Sequence, residues 1–204
     1  SLLIGIKTKV STTSFQIFFN LIPADVIYNR LCYISDSENF VNYKDTCDYI
    51  SRISNGCMRE AISLLEKCSS YNTSLDINSS LNIIGNYSYD IYFELVNSII
   101  DANVPKVIEI IDYIVIQGND VKLFVDNFLS FCLDISKYII CGTIGVTKIP
   151  SSYEINVKNS INFHEANKYY RIITDKLLEL KNMLKNDNDP ISTVTVILIG
   201  MARW

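Results

Sequence analysis

The sequence predicts an all-α fold, and three observations carry that reading. Glycine (7) and proline (4) are scarce in 204 residues, so turn signals are few and helices should dominate. Apolar residues recur at spacings of three and four beyond residue 22, most plainly at Ala166, Tyr170, Ile173, Leu177, Leu180 and Leu184. Helix-boundary residues stand at the ends of these stretches: Pro23, Gly85, Gly118, Asn119-Asp120 and Asp189-Pro190.

The elements follow in order. Residues 1–22 mix β-branched and aromatic residues with threonine and serine, and read as extended. Pro23 sits where a first helical turn begins, and Val26, Ile27, Leu31 and Ile34 mark a helix after it. A second helix fits residues 43–53. A third follows Ser54-Asn55-Gly56, with Met58, Ala61, Ile62, Leu65 and Cys68 on one face. A shorter segment at 76–85 closes this compact bundle, with Gly85 as C-cap. Longer helices come next, at 89–102 and at 105–118, the latter with Val107, Ile108, Ile111, Ile114 and Val115 as its stripe. Asn119 and Asp120 offer an N-cap to a helix carrying Phe124, Phe128, Phe131, Ile135 and Ile139. Residues 142–160 read as a loop, and helical spacing resumes from about Ser160. After the break at 186–190, residues 191–204 fit either a strand, from their β-branched residues, or a buried helix, from their all-helical context.

Composition bounds the function. At roughly 150 residues per domain, the chain holds one large domain or two small ones. Hydrophobic residues at 49% and charged residues at 20% exclude collagen-like, disordered and supercharged classes. Lys plus Arg total 18 against 22 Asp plus Glu, a net charge of −4, which argues against a dedicated nucleic-acid-binding module. No apolar run approaches the roughly 18 residues of a membrane span. The opening SLLIGIKTKV lacks the basic start of a signal peptide, and the chain, which begins without Met and stops at Trp204, reads as a piece of a longer protein. Cys32, Cys47, Cys57, Cys68, Cys132 and Cys141 include no CxxC pair and read as reduced, buried cysteines of a cytosolic protein. His164 is the only histidine, so zinc and histidine-triad chemistry have almost nothing to work with, and a surface or capping role fits it.

The most informative stretch is NGCMREAISLLEKC at 55–68. A helix starting at Gly56 or Cys57 puts Arg59 in its first turn and off its apolar stripe. A cation there opposes the helix dipole, at a cost of about 0.3–1 kcal/mol. Two readings of Arg59 stand on the residues alone: an anionic partner supplied from elsewhere, or a solvated arginine offset by Glu60 or Glu66.

Residues 22–66 resemble the lid of AAA+ clamp-loader subunits, specifically the gamma/tau kind of bacterial DNA polymerase III. The family pattern is an Ile-x-x-x-x-Ile-x-x-x-Leu helix, a Glu, a second helix and then Gly-x-Met-Arg-Asp-Ala-Leu-Ser-Leu-Leu. This sequence supplies Ile22, Ile27, Leu31 and Glu38, then Gly56, Met58, Arg59, Glu60, Ala61, Ile62, Ser63, Leu64 and Leu65. The resemblance continues through IIG at 83–85 and, more weakly, through the family's collar, with Gly118-Asn119-Asp120 and Asp189-Pro190 at helix starts. It implies the end of an AAA+ core and connector over 1–21, a three-helix lid over 22–85 and a helical collar over 86–204. It also implies that Arg59 is the sensor-2 arginine, reaching the phosphates of ATP bound with magnesium on the core, where triphosphate would stabilise the ill-placed charge.

Two departures qualify the resemblance. The chain carries no GxxxxGK[ST] phosphate loop, and Gly5 is isolated, so the fragment should not bind or hydrolyse ATP alone. The family's Ser-Arg-Cys, whose arginine enters the neighbouring subunit's ATP site, falls here on Thr12-Thr13-Ser14. Thr13 cannot neutralise transition-state charge, a role worth on the order of 10³–10⁵ in rate in other NTPases.

The function implied is the lid and collar of a DNA-replication clamp-loader subunit, coupling ATP binding to loading of the sliding clamp on primed DNA. Its partners would be sister subunits through the collar, and the clamp and primer-template DNA through the whole assembly, in the cytoplasm and without a membrane. A structural helical subunit that uses no ATP is the alternative, and an unrelated all-α interaction domain is a third. Surplus apolar residues at 105–117, 120–141 and 165–185, Phe124, Phe128 and Phe131 among them, point to association with sister subunits or to a homo-oligomer through 86–204. Mutual covering of these helices within the collar is the competing reading.

Overall fold

A computed structural model describes residues 20–118, 120–162 and 165–203. The extended reading of 1–22, apart from its last three residues, lies outside them, as do Gly5, Thr12-Thr13-Ser14, Asn119, His164 and Trp204. The described chain is all-α, and its only β feature among these residues is an isolated bridge between Val41 and Ser74.

Four helices come first: α1 (Ala24–Ser37), α2 (Lys44–Ile53), α3 (Met58–Ser69) and α4 (Ile77–Ile84). Pro23 is the N-cap of α1 rather than its first helical residue. Ile27 and Leu31 of α1, Cys47 and Ile50 of α2, and Ala61, Leu65 and Cys68 of α3 enclose one apolar cluster, sealed by Leu75. The Asp76 carboxylate caps α4 by accepting the Ser79 N–H at 3.0 Å, and Gly85 ends it in the left-handed conformation its sequence position predicts.

The remaining helices are α5 (Tyr89–Ile100), α6 (Val104–Ile116), α7 (Val121–Cys141), α8 (Glu154–Ser160), α9 (Ala166–Met183) and α10 (Pro190–Met201). Helix α7 packs along α9, α6 packs on α5, and α10 lies against α6 and α9. Their cluster takes in Phe124, Phe128, Phe131 and Ile135 of α7 and Tyr170, Ile173, Leu177 and Leu180 of α9. It also takes in Tyr49 of α2 and Leu81 of α4, so the two bundles share a wall.

Three elements depart from the sequence reading, and a fourth, at 190–201, takes one of the two forms it left open. Residues 142–160 are not a plain loop: 3-10 turns at Ile144–Val146 and Ser151–Tyr153 lead into α8. At seven residues α8 is too short to show a period, and its Val157 alone is fully buried among its apolar residues. Helix α9 therefore starts at Ala166, later than Ser160, which ends α8. Residues 190–201 form a helix, with the Asp189 carboxylate accepting the Ser192 N–H at 3.3 Å and Pro190 in first position. That helix buries only Val194, Leu198 and Met201, while Ile191 and Val196 face solvent. On α6 the buried stripe runs through Ile110 rather than Ile108.

The supposed apolar surplus is also accounted for internally. Phe124, Phe128 and Phe131 are at most 2% exposed, and the stripe from Ala166 to Leu184 is buried throughout. Those residues cover one another and leave no surface of their own for a partner. The exposed apolar side chains of this half are others, including Ile116, Ile140 and Val196. Cys47, Cys68 and Cys132 are buried, whereas Cys57 and Cys141 are exposed, which corrects the reading of all six as buried.

Burial pushes the Cys47 thiol up from 9.0 to about 12. The folded state holds this proton where the unfolded chain releases it, so the stability involved is whole below pH 9 and shrinks as pH climbs towards 12. Urea midpoints should fall between about pH 8 and about pH 11, and Cys47→Ala should lessen that fall. Equal pH dependence in both proteins would refute this assignment.

Candidate functional site

Arg59 is the second residue of α3, and the turn between α2 and α3 fixes its position. Ser54 ends α2, and Asn55 and Gly56 both adopt positive φ, 47° and 80°. The chain then reverses at Cys57, whose N–H donates to the Ser54 carbonyl at 2.9 Å. Cys57 is the N-cap but supplies no side-chain cap, so the first N–H groups of α3 have no side-chain acceptor there. Arg59 is exposed, and its guanidinium has no hydrogen-bond or ion-pair partner among the described residues. Neither Glu60 nor Glu66 forms an ion pair with it among the described residues. The start of α3 thus has N–H groups without a side-chain cap and, in its first turn, an exposed arginine without a partner among the described residues, an arrangement that suits an anion.

A second contact sets where that place lies. The segment leading into α1 crosses directly over Gly56, with the Ile22 N–H donating to the Gly56 carbonyl at 3.2 Å. A Cβ at Gly56 would sit 2.6 Å from Leu21 Cβ and 3.1 Å from the backbone N and O of Ile22. The absence of a side chain at 56 thus locks the incoming chain against the start of the arginine helix.

Sequence reasoning passed over a third feature. Asp48 and Arg52 lie one turn apart on α2, with Nε donating to Oδ1 at 2.8 Å. Nη1 of Arg52 donates to the carbonyls of Ile144 and Thr147 at 2.9 and 3.2 Å, and Nη2 donates to Ser151 Oγ at 2.7 Å. The other Asp48 oxygen accepts the Ser151 N–H at 2.7 Å. The i, i+4 spacing is a sequence signal for the pair, but nothing in the sequence says that it reaches 92–103 residues further along the chain. Nearby, the Asn86 side chain donates to Tyr49 Oη at 2.9 Å and accepts from Tyr92 Oη at 2.6 Å, joining α2 to α5. The described residues contain no group of three or more His, Cys, Asp or Glu side chains that could hold a metal ion, and no helix among them is long and apolar enough to cross a membrane.

No protein-family model matches the chain. It is 22% identical over 185 residues to DNA polymerase III subunit gamma/tau of Mycoplasma genitalium, which covers 88% of this chain and 29% of that protein. It is 26% identical over 121 residues to DNA polymerase III subunit tau of Bacillus subtilis, covering 59% of this chain and 22% of that protein. The chain is related to DNA polymerase III gamma/tau subunits. It spans less than a third of the length of either relative.

Gly56→Ala should lower stability through both strain and collision. A left-handed backbone costs a non-glycine residue about 1–2 kcal/mol. Gly118 also has positive φ, 71°, but nothing lies within 4 Å of a Cβ there, so Gly118→Ala carries the strain alone. Urea unfolding should show Gly56→Ala as the more damaging change, and equal losses would mean the crossing at Ile22 is not tight.

Proposed function

We propose that this chain is the lid and collar of a DNA-replication clamp-loader ATPase subunit, with the nucleotide-binding core outside it. The observation that carries this reading is Arg59, exposed and without a partner among the described residues at the start of α3, where Cys57 supplies no side-chain cap. The similarity to DNA polymerase III gamma/tau subunits supports it, and in this reading the anion is a triphosphate on an adjoining core domain. Arg59 can donate to phosphate oxygens and match charge spread over them, with the α3 N–H groups and helix dipole adding to the field. Of the ATP and magnesium this implies, the described residues fit the phosphates alone, and the metal falls to residues outside them. ATP, so bound, supplies the energy difference between two states of the assembly. This chain contributes a lid whose position depends on that phosphate contact.

The bundle α1–α4 then corresponds to the lid and α5–α10 to the collar. The segment at Leu21–Ile22, crossing over Gly56, links the core to the arginine helix, so that core and α3 move together. Sister subunits associate through the collar in this reading, by exposed residues such as Ile116 and Ile140 rather than by the buried phenylalanines. The assembly acts in the cytoplasm, opening a sliding clamp and placing it on primer-template DNA. The second reading, a structural subunit that uses no ATP, draws on Thr12-Thr13-Ser14, where no arginine is available to a neighbouring site.

In the protein carrying its core, Arg59→Ala should slow ATP-dependent clamp loading by on the order of ten- to a hundredfold, the equivalent of about 1.5–3 kcal/mol for a charged hydrogen bond. Arg59→Lys should recover part of the rate, since it keeps the charge and loses the fork. Because Arg59 is exposed, Arg59→Lys should leave thermal unfolding unchanged, and Arg59→Ala should if anything raise its midpoint slightly, since it removes a charge that the α3 dipole opposes. Wild-type loading by Arg59→Ala would return Arg59 to an ordinary solvated residue.

A further inference from the structure

The Asp48–Arg52 pair joins parts of the molecule that are distant in sequence, and we propose that Arg52 is a positioning residue that carries displacement of the α1–α4 bundle to the segment 144–153. The contact stands on geometry alone. What it transmits, a nucleotide-dependent movement, rests on the lid-and-collar reading above.

The segment is anchored by its buried Ile144, Ile149 and Tyr153 and by directional bonds to two other elements. Its backbone is held between two carboxylates from opposite sides: Asp48 of α2 on the Ser151 N–H, and Asp134 of α7 on the Lys148 N–H at 2.9 Å. Asp134 is buried and paired with Lys137 at 2.7 Å, so the α7 side is fixed. Arg52 makes the α2 side equally definite by spreading one guanidinium over Asp48, two carbonyls and a hydroxyl. The side chains of Arg52 and Asp48 are 12% and 20% exposed, dry enough for these charge-assisted bonds to resist replacement by water. Tyr153 continues the segment, donating from Oη to Asn78 of α4 at 3.3 Å while its ring packs on Tyr89 at 5.2 Å and Phe93 at 6.4 Å.

Several directional bonds between rigid elements do not stretch gradually. If α2 shifts by an ångström or two, either the segment follows or the bonds break together, which makes the junction a two-state element. The segment also lies directly against the aromatic core of α5 and α7, so its displacement reaches the collar helices. Lysine could not substitute, because a single ammonium cannot hold Asp48 and two carbonyls in one plane.

The test is amide hydrogen exchange in the full protein with its core, with and without a non-hydrolysable ATP analogue, alongside the affinity for that analogue. The expected result is a several-fold change in exchange across 144–153 when the analogue binds the wild-type protein. Arg52→Lys and Asp48→Asn should abolish that change and leave the affinity intact. In the same protein without analogue, Asp48→Asn should speed Ser151 amide exchange on the order of tenfold while α5 and α7 stay protected, which shows that the variant is folded. A wild-type segment indifferent to bound analogue, or an Arg52→Lys protein that responds like wild type, would overturn the proposal. Failure to bind the analogue at all would defeat the reading under Proposed function and this device with it, and it is distinguished by appearing in the affinity.

Discussion

The ring contacts between α5 and α7 are the constraint on which the rest of the structure depends. Tyr92 is fully buried and stacks on Phe124, Phe128 and Phe131 at 5.8, 5.9 and 5.4 Å. Offset and edge-on ring pairs of this kind add about 0.5–1.5 kcal/mol each beyond area burial. A tyrosine so placed must find a partner for its hydroxyl, and Tyr92 finds it in Asn86, which in turn donates to Tyr49 of α2. The need to satisfy one buried hydroxyl therefore ties the second bundle to the first. Helices α9 and α10, the 144–153 segment and the wall formed by Tyr49 and Leu81 all take their places around that layer.

Helix existence was legible wherever the apolar period ran for three turns or more. The α9 stripe from Ala166 to Leu180 and the Asp120 cap of α7, whose carboxylate accepts the Lys122 N–H at 2.8 Å, are read directly from residue types. Helix α8 was not legible, because seven residues at 154–160 complete only two turns and carry one fully buried apolar residue, and it lacks the terminal glycine that marks the similarly short α4. Residues 191–201 stayed open for another reason: β-branched residues favour strands by packing on neighbours, and only the structure shows that no strand among the described residues is there to pair with, so the helix alternative holds. The phenylalanines of α7 looked excessive because a sequence shows how much apolar surface exists but not which helix covers it.

The candidate site divides along the same line. Arg59 stood out because a local electrostatic preference is violated there, and such a violation needs only the neighbouring residues to be seen. Gly56 shared its motif, but the reason for a glycine, the crossing of Leu21 and Ile22, is a tertiary contact. Arg52 was invisible as a functional candidate, because a helix-surface Asp–Arg pair one turn apart is ordinary until its remaining donors are found on carbonyls of a distant segment. Positions whose meaning is local could be read, and positions whose meaning is a long-range hydrogen bond could not.

The central claim is that Arg59 faces a nucleotide phosphate held by an adjoining core. A structure of the protein with its core, bound to a non-hydrolysable ATP analogue, tests this most directly. The result expected is the Arg59 guanidinium within about 3 Å of a phosphate oxygen, at the distance of a charge-assisted hydrogen bond. A nucleotide bound with its phosphates fully ligated elsewhere, and Arg59 still in solvent, would contradict the claim.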